Sequence, residues 1–175
     1  RRATVYPHSL GEGKLAGAQE NDIYYYLGLA ERALGRPEEA QSCLRKAAVG
    51  LAEPAGMMYY NDQPPEMIFY QGLARRALGD EAGALSRFNK LVDYAEQHLD
   101  DHVKIDYFAV SLPDLQIFEE DLDMRNRVHC LFMRGLGLLG KGEEEKAAHC
   151  FDEAQRLDPN HGGVRVHRAL LRERG

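Results

Sequence analysis

The chain has 175 residues, of which 44% are hydrophobic and 29% are charged, a composition typical of a globular domain rather than of a disordered chain. Its 22 basic and 28 acidic residues give a formal net charge of −6, which argues against a nucleic-acid surface, because such a surface needs clustered basic residues. No apolar run approaches the roughly 20 residues that a transmembrane helix needs. We therefore expect neither nucleic acid nor a membrane as a partner.

A short pattern recurs three times along the chain. It begins with a landmark glycine in the segments LGLA, QGLA and RGLG. These landmark glycines are Gly28, Gly72 and Gly135. Twelve residues after each of them stands an alanine, and four residues after that alanine stands Leu or Phe. A break with its own glycine separates glycine from alanine in each copy: Gly35, Gly79 and Gly142.

Each copy predicts two helices joined by a tight turn. In the first copy, Ile23, Leu27, Ala30 and Leu34 recur at steps of three and four residues, the spacing of an amphipathic helix. The glycine in each break suits the left-handed conformation that ends a helix, and Pro37 suits the first turn of the next helix. The small landmark residues let the two helices approach closely. The sequence therefore predicts a helical hairpin that is used three times.

These copies resemble the tetratricopeptide repeat family, whose motif places a large residue four positions before the glycine. Tyr24, Ile68 and Leu131 stand at that position here. The proline with which the family ends its second helix is matched at its usual place only in the third copy, by Pro159. The resemblance implies an all-α fold, a right-handed α-solenoid of three hairpins with two insertions and a C-terminal capping helix.

The same resemblance divides the chain into parts. We expect a linker at 1–20 and a helical repeat domain at 21–175. The expected parts of this domain are hairpins at about 21–54, 65–99 and 124–159, an insertion at 100–123 and a capping helix at about 163–174. The landmark glycines lie 44 and 63 residues apart, against a usual period of about 34, which predicts one insertion between each pair of hairpins.

Residues 61–70 and 106–114 are also similar to a narrower group. This group is the C-terminal region of long bacterial proteins that carry a β-rich domain of unknown function ahead of tetratricopeptide repeats. The chain begins at Arg1 without a methionine, so we expect it to be a piece of such a protein.

One face of each first helix is expected to line a concave groove. The groove candidates are Asp22, Tyr25, Leu29, Arg32, Glu66, Phe69, Leu73, Arg76, His129, Phe132 and Leu136. Tyr25, Phe69 and Phe132, which we call the aromatic ladder, suit an amphipathic helix or an extended apolar segment, with Arg32 and Arg76 attracting its acidic groups. An alternative stays open, in which the insertions fill the groove and the ladder is part of the core.

Other side chains could in principle carry chemistry, and each has a plainer interpretation. His98 and His102 have the i, i+4 spacing of a zinc-binding helix, but lack the glutamate that a hydrolytic metal helix carries after its first histidine. The acidic residues between 100 and 123 suit a solvated loop and helix caps. The three cysteines form no CxxC pair, which favours a reducing, cytoplasmic compartment. We therefore expect no metal, no cofactor and no catalytic residue.

The sequence thus predicts a non-catalytic interaction or scaffold module, not an enzyme. Its partner would be a protein or peptide, or the rest of its own parent chain. One alternative is an oligomerisation module, in which residues 57–60 or 107–108 pack against a second copy in a homodimer. Another alternative is the helical part of a catalytic site that is shared with a missing, carbohydrate-active domain.

Overall fold

The computed structural model describes residues 4–5, 19–56, 62–103 and 121–172. Within these ranges the chain forms seven α-helices and no β-strand. The helices are α1 (Asn21–Ala33), α2 (Pro37–Ala47), α3 (Pro65–Ala77), α4 (Glu81–His98), α5 (Leu122–Lys141), α6 (Glu144–Leu157) and α7 (Gly162–Arg172). The first six pack as three successive hairpins, and α7 follows the third, so the fold is an all-α helical solenoid.

The three hairpin turns are built alike. Their glycines adopt left-handed φ angles of 72°, 88° and 82°, at Gly35, Gly79 and Gly142 respectively. The residue after each glycine donates its N–H to the carbonyl five residues earlier, at 2.9 Å in every turn: Arg36 to Glu31, Asp80 to Arg75 and Glu143 to Leu138. The predicted turn chemistry is therefore observed in all three copies.

The landmark glycines lie where the two helices of a hairpin touch. A Cβ atom at Gly72 would stand 2.4 Å from the ring of Phe88, and one at Gly135 would stand 2.4 Å from the ring of Phe151. Phe88 also contacts the next hairpin, because a Cβ at Gly140 would lie 2.3 Å from its ring. These close approaches explain why small residues recur in the pattern.

Two apolar clusters hold the hairpins together. The larger one joins α3, α4, α5, α6 and α7, and its fully buried side chains include Phe69, Phe88 and Phe151. A smaller cluster around Leu44 and Ala74 joins the first hairpin to the second. The first hairpin is therefore attached through less apolar surface than the third.

Buried polar side chains add to this first junction. Asn21 donates from its amide to the carbonyls of Ala47 and Val49, both at 2.8 Å. Gln71, which is fully buried on α3, donates to the carbonyl of Leu51 at 2.7 Å. These bonds fix the non-helical segment after α2 against α1 and α3.

The observed bounds differ in places from the expected ones. Helix α2 ends at Ala47, before the expected limit of the first hairpin at 54, and three residues later Gly50 adopts a φ of 127°, which a helix does not allow. Helix α5 begins at Leu122, inside the expected insertion 100–123, because Asp121 caps it by accepting the N–H of Met124 at 2.9 Å. Most of the expected linker 1–20, most of that insertion and residues 57–60 lie outside the described residues.

Candidate functional site

The predicted groove residues lie on α1, α3 and α5, the first helices of the three hairpins. Their burial rises along the stack. Tyr25 and Leu29 in the first hairpin are half-buried, whereas Phe69 in the second and Phe132 in the third are 0% and 2% exposed. Leu73 and Leu136 are buried as well. The aromatic and leucine residues of the predicted groove are thus accessible at the first hairpin and buried at the other two.

Helix α7 covers the aromatic ladder at the second and third hairpins. The ring centroid of His167 lies 5.7 Å from that of Phe69 and 5.6 Å from that of Phe132. The backbone of α7 also packs closely against Phe132, because a Cβ atom added at Gly163 would stand only 2.8 Å from Phe132 Cζ. Val164 is fully buried. The sequence predicts a helix that caps the stack, and in the structure this helix also lies against two of the three rings.

Two histidines anchor α7, and their hydrogen bonds define which nitrogen carries a proton. The backbone N–H of Val164 donates to His161 Nδ1 at 3.1 Å, so this nitrogen is unprotonated. His167 Nδ1 donates to the carbonyl of Gly163 at 2.8 Å, so in the neutral ring Nε2 carries no proton. His167 Nε2 is buried and has no hydrogen-bond partner among the described residues. Burial lowers the pKa of both histidines.

A cavity of about 450 Å³ opens beside the covered part of the ladder. Three of the predicted groove residues line it: Glu66, His129 and Phe132. Its other lining residues are Gly56, Pro65, Asp121, Met124, Arg125, Val128, Leu157, Asp158, His161 and Gly163. The cavity therefore lies between the starts of α3 and α5 and the α6–α7 connection. Its lining is mainly apolar and also includes the charged residues Glu66, Asp121, Arg125 and Asp158.

Burial shifts the pKa values of two residues that line this cavity, Glu66 and His129. Burial raises the pKa of Glu66, the hydrogen bond to its own backbone N–H opposes the rise, and the nearby charge of Asp22 adds to it. His129 Nε2 donates to the carbonyl of Ala55 at 2.8 Å, and burial lowers the pKa of His129. The imidazole is therefore neutral near pH 7. The cavity thus combines apolar side chains with a carboxyl group of raised pKa and a neutral imidazole.

Models of the tetratricopeptide repeat match the chain at residues 22–48, 66–97 and 128–161. Each match falls on one hairpin, and together they cover more than half of the sequence. The chain belongs to the tetratricopeptide repeat family. Such repeats generally mediate protein–protein interaction or scaffolding and are typically non-catalytic. No solved structure matches the chain significantly.

The two groove arginines join successive tetratricopeptide repeats. Arg32 Nη2 donates to the carbonyl of Ala77 at 3.0 Å, and Arg76 Nη1 donates to the carbonyl of Gly140 at 2.6 Å. Both acceptors stand five residues after the landmark glycine of the following repeat. Arg32 and Arg76 each stand four residues after the landmark glycine of their own repeat. In the third repeat Leu139 stands at that position, and no hairpin follows this repeat among the described residues. These contacts connect each repeat to the next, a role that the sequence analysis did not assign to them.

The histidines of the suggested zinc pair contact different carboxylates. His98 Nδ1 lies 2.6 Å from Asp101 Oδ2, whereas His102 Nδ1 lies 2.7 Å from Asp123 Oδ2. Across the described ranges, no group of three or more His, Cys, Asp or Glu side chains is placed to hold a metal ion.

Burial raises the pKa of the Cys130 thiol to about 11. In the same ranges, no helix combines the length and the apolarity that crossing a membrane requires.

Proposed function

We propose that this chain is a non-catalytic interaction module that binds a peptide or helix of a protein partner on its concave face. The cavity of about 450 Å³ carries the proposal, because three of the residues expected to line the groove also line this cavity. The partner is another protein or the rest of the parent chain. The mode is that of a scaffold, in which the repeats hold the partner and catalyse nothing.

The cavity walls suggest how such a partner is anchored. Met124, Val128 and Phe132 follow one another at four-residue steps on α5, so their side chains line one apolar stripe. An apolar side chain that enters the cavity would be removed from water along this stripe, which contributes about 25 cal/mol per Å² of buried apolar surface. Interface hot spots have this geometry, with one anchoring residue in a pocket and a polar rim around it.

A matched pair of surface variants tests the proposal. Met124 lines the cavity and is 44% exposed, so Met124→Asp places a carboxylate at the site without disturbing the core. Leu85 on α4 is 38% exposed and lies away from the cavity, so Leu85→Asp makes the same chemical change elsewhere. Random peptides selected on the wild-type protein by phage display provide the probes, and their affinity for each variant is measured by fluorescence anisotropy.

We expect Met124→Asp to weaken the selected peptides by about tenfold or more and Leu85→Asp to change their affinity little. Equal affinity for wild type and Met124→Asp would contradict the proposed site. A calorimetric titration with the separately expressed rest of the parent chain distinguishes the two kinds of partner. Heat that disappears with Met124→Asp supports the parent chain, and absence of heat points to a separate protein.

A further inference from the structure

We propose that α7 occupies a docking site on the concave face, and that a basic amphipathic helix of the partner binds there by displacing α7. The inference rests on the proposed function. It adds the chemistry of the partner and names the element that the partner must displace. It concerns the surface beneath α7, where Phe69, Tyr70 and Phe132 contact His167.

Helix α7 shows which side chains this surface accepts. Val164 is fully buried and His167 is 4% exposed, and Leu170 and Leu171 are half-buried against the main core. Val164, His167 and Leu170 follow one another at steps of three, and Leu171 is adjacent to Leu170, so these residues lie on one side of the helix. Val166, on the other side, is 58% exposed. A helix with an apolar stripe of this length therefore fits the site.

The charges around α7 favour a basic ligand. Residues 162–172 contain three arginines and no acidic residue. Arg168 forms an ion pair of 2.6 Å with Asp152 on α6. Asp22 on α1 and Asp158 beside α6 act electrostatically on His167 and His161, both in the direction that favours the positive form. Acidic groups thus lie near α7 on both α1 and α6. A basic helix that replaced α7 would interact favourably with the same carboxylates.

Three features make α7 easier to displace than the hairpin helices. It begins with Gly162 and Gly163, which lose more backbone entropy on becoming helical than other residues do. The N–H of Val164 in its first turn is capped by His161 Nδ1, and histidine is not one of the preferred residues for capping the start of a helix. His167 Nε2 is buried with no hydrogen-bond partner among the described residues, which disfavours the docked state. A partner helix that lacks these features would bind the surface more tightly than α7 does.

The chain's own connection opposes this exchange. Helix α7 follows α6 after a short segment, residues 158–161, so it competes with any partner at an effective concentration in the millimolar range. A variant with α7 detached removes this competition. In the 175-residue chain, Val164→Asp puts a carboxylate at a fully buried position of α7 and leaves the sequence of the three hairpins intact.

The probe is a fluorescein-labelled peptide with the sequence of residues 160–172, measured by anisotropy. We expect it to bind the Val164→Asp chain about tenfold or more tightly than it binds the wild-type chain. The matched control peptide carries the substitutions Arg165→Glu, Arg168→Glu and Arg172→Glu, and we expect it to bind about tenfold or more weakly than the probe. Circular dichroism verifies that the variant keeps its helices, and Leu170→Asp replaces it if Val164→Asp unfolds.

The inference would be overturned if the probe bound the wild-type and Val164→Asp chains equally. It would also be overturned if the charge-reversed peptide bound the Val164→Asp chain as tightly as the probe does. No binding to a folded, detached chain would overturn it as well. The selected peptides of the previous section separate this failure from failure of the proposed function. If they bind in a manner that depends on Met124 while the probe does not bind, the concave face binds protein but the site beneath α7 does not accept such a helix.

Discussion

Replacing Gly72 by alanine sets two effects of opposite sign against each other. Alanine is favoured over glycine in a helix interior by about 1 kcal/mol, so an unhindered site would be stabilised. At Gly72 the added Cβ would lie 2.4 Å from Phe88 Cε1 and 2.7 Å from Cζ. Carbon atoms attract one another best at about 3.5–4.0 Å, so the new methyl group would overlap the ring by about 1 Å.

The ring of Phe88 has little room to move away. It is fully buried, a Cβ at Gly140 would lie 2.3 Å from its Cδ1 atom, and its centroid is 6.0 Å from that of Phe69. Overpacking of a well-packed core costs about 1–3 kcal/mol, and a ring held on three sides places this site near the upper value. Subtracting the propensity gain leaves a net loss of about 2 kcal/mol. For a chain of this size, that loss lowers the Tm by about 4–8 °C.

Thermal and urea unfolding followed by circular dichroism measure this loss, because the chain contains no tryptophan and is mainly helical. Gly162→Ala is the matched control, since Gly162 also lies in a helix but has no atom within 4 Å of an added Cβ. We expect this control to be neutral or stabilising. A Gly72→Ala protein as stable as the wild type would refute the argument that close helix contact requires the landmark glycine.

Three further changes test other parts of the structure by urea unfolding. Phe69→Ala should lower the free energy of unfolding by about 3–5 kcal/mol, because its ring is fully buried, and a loss below about 1 kcal/mol would contradict a core position. Arg76→Met removes the hydrogen bond to the Gly140 carbonyl and should lower it by about 1 kcal/mol. Burial lowers the pKa of His161 and His167, so the folded chain binds fewer protons than the unfolded chain. The free energy of unfolding should therefore be highest above about pH 6.5 and decrease as the pH falls below that value. His161→Asn keeps a cap acceptor without titrating, so it should reduce this pH dependence, and an unchanged pH profile would contradict the assignment.

The hairpins could be predicted from the sequence because local rules determine them. Turn glycines, apolar periodicity and small residues at helix contacts act within about ten residues of one another, and three copies repeat the same signals. Gly79 and Phe88 illustrate this, since the first has the expected left-handed φ and the second fills the space that Gly72 leaves.

The position of α7 could not be predicted in the same way. Its sequence indicates an amphipathic helix, but the face it packs against depends on the path of the chain after Leu157. The sequence predicts the aromatic ladder as a groove surface, but nothing in the local pattern of Phe69 or Phe132 indicates that α7 contacts both rings. The bridging role of Arg76 did leave a signal, because its acceptor has a fixed place in the following repeat.

Tyr70 connects the accessible and the covered parts of the concave face. Its ring lies 5.6 Å from Tyr25 on the first hairpin and 5.6 Å from His167 on α7, and its hydroxyl is 3.3 Å from that of Tyr26. Tyr26 is 43% exposed, whereas Tyr70 is buried, so the row of rings runs from solvent to the underside of α7. The first hairpin and α7 therefore contact the same buried side chain. Under the proposed displacement of α7, Tyr70 would lose its contact with His167 and keep its contact with Tyr25.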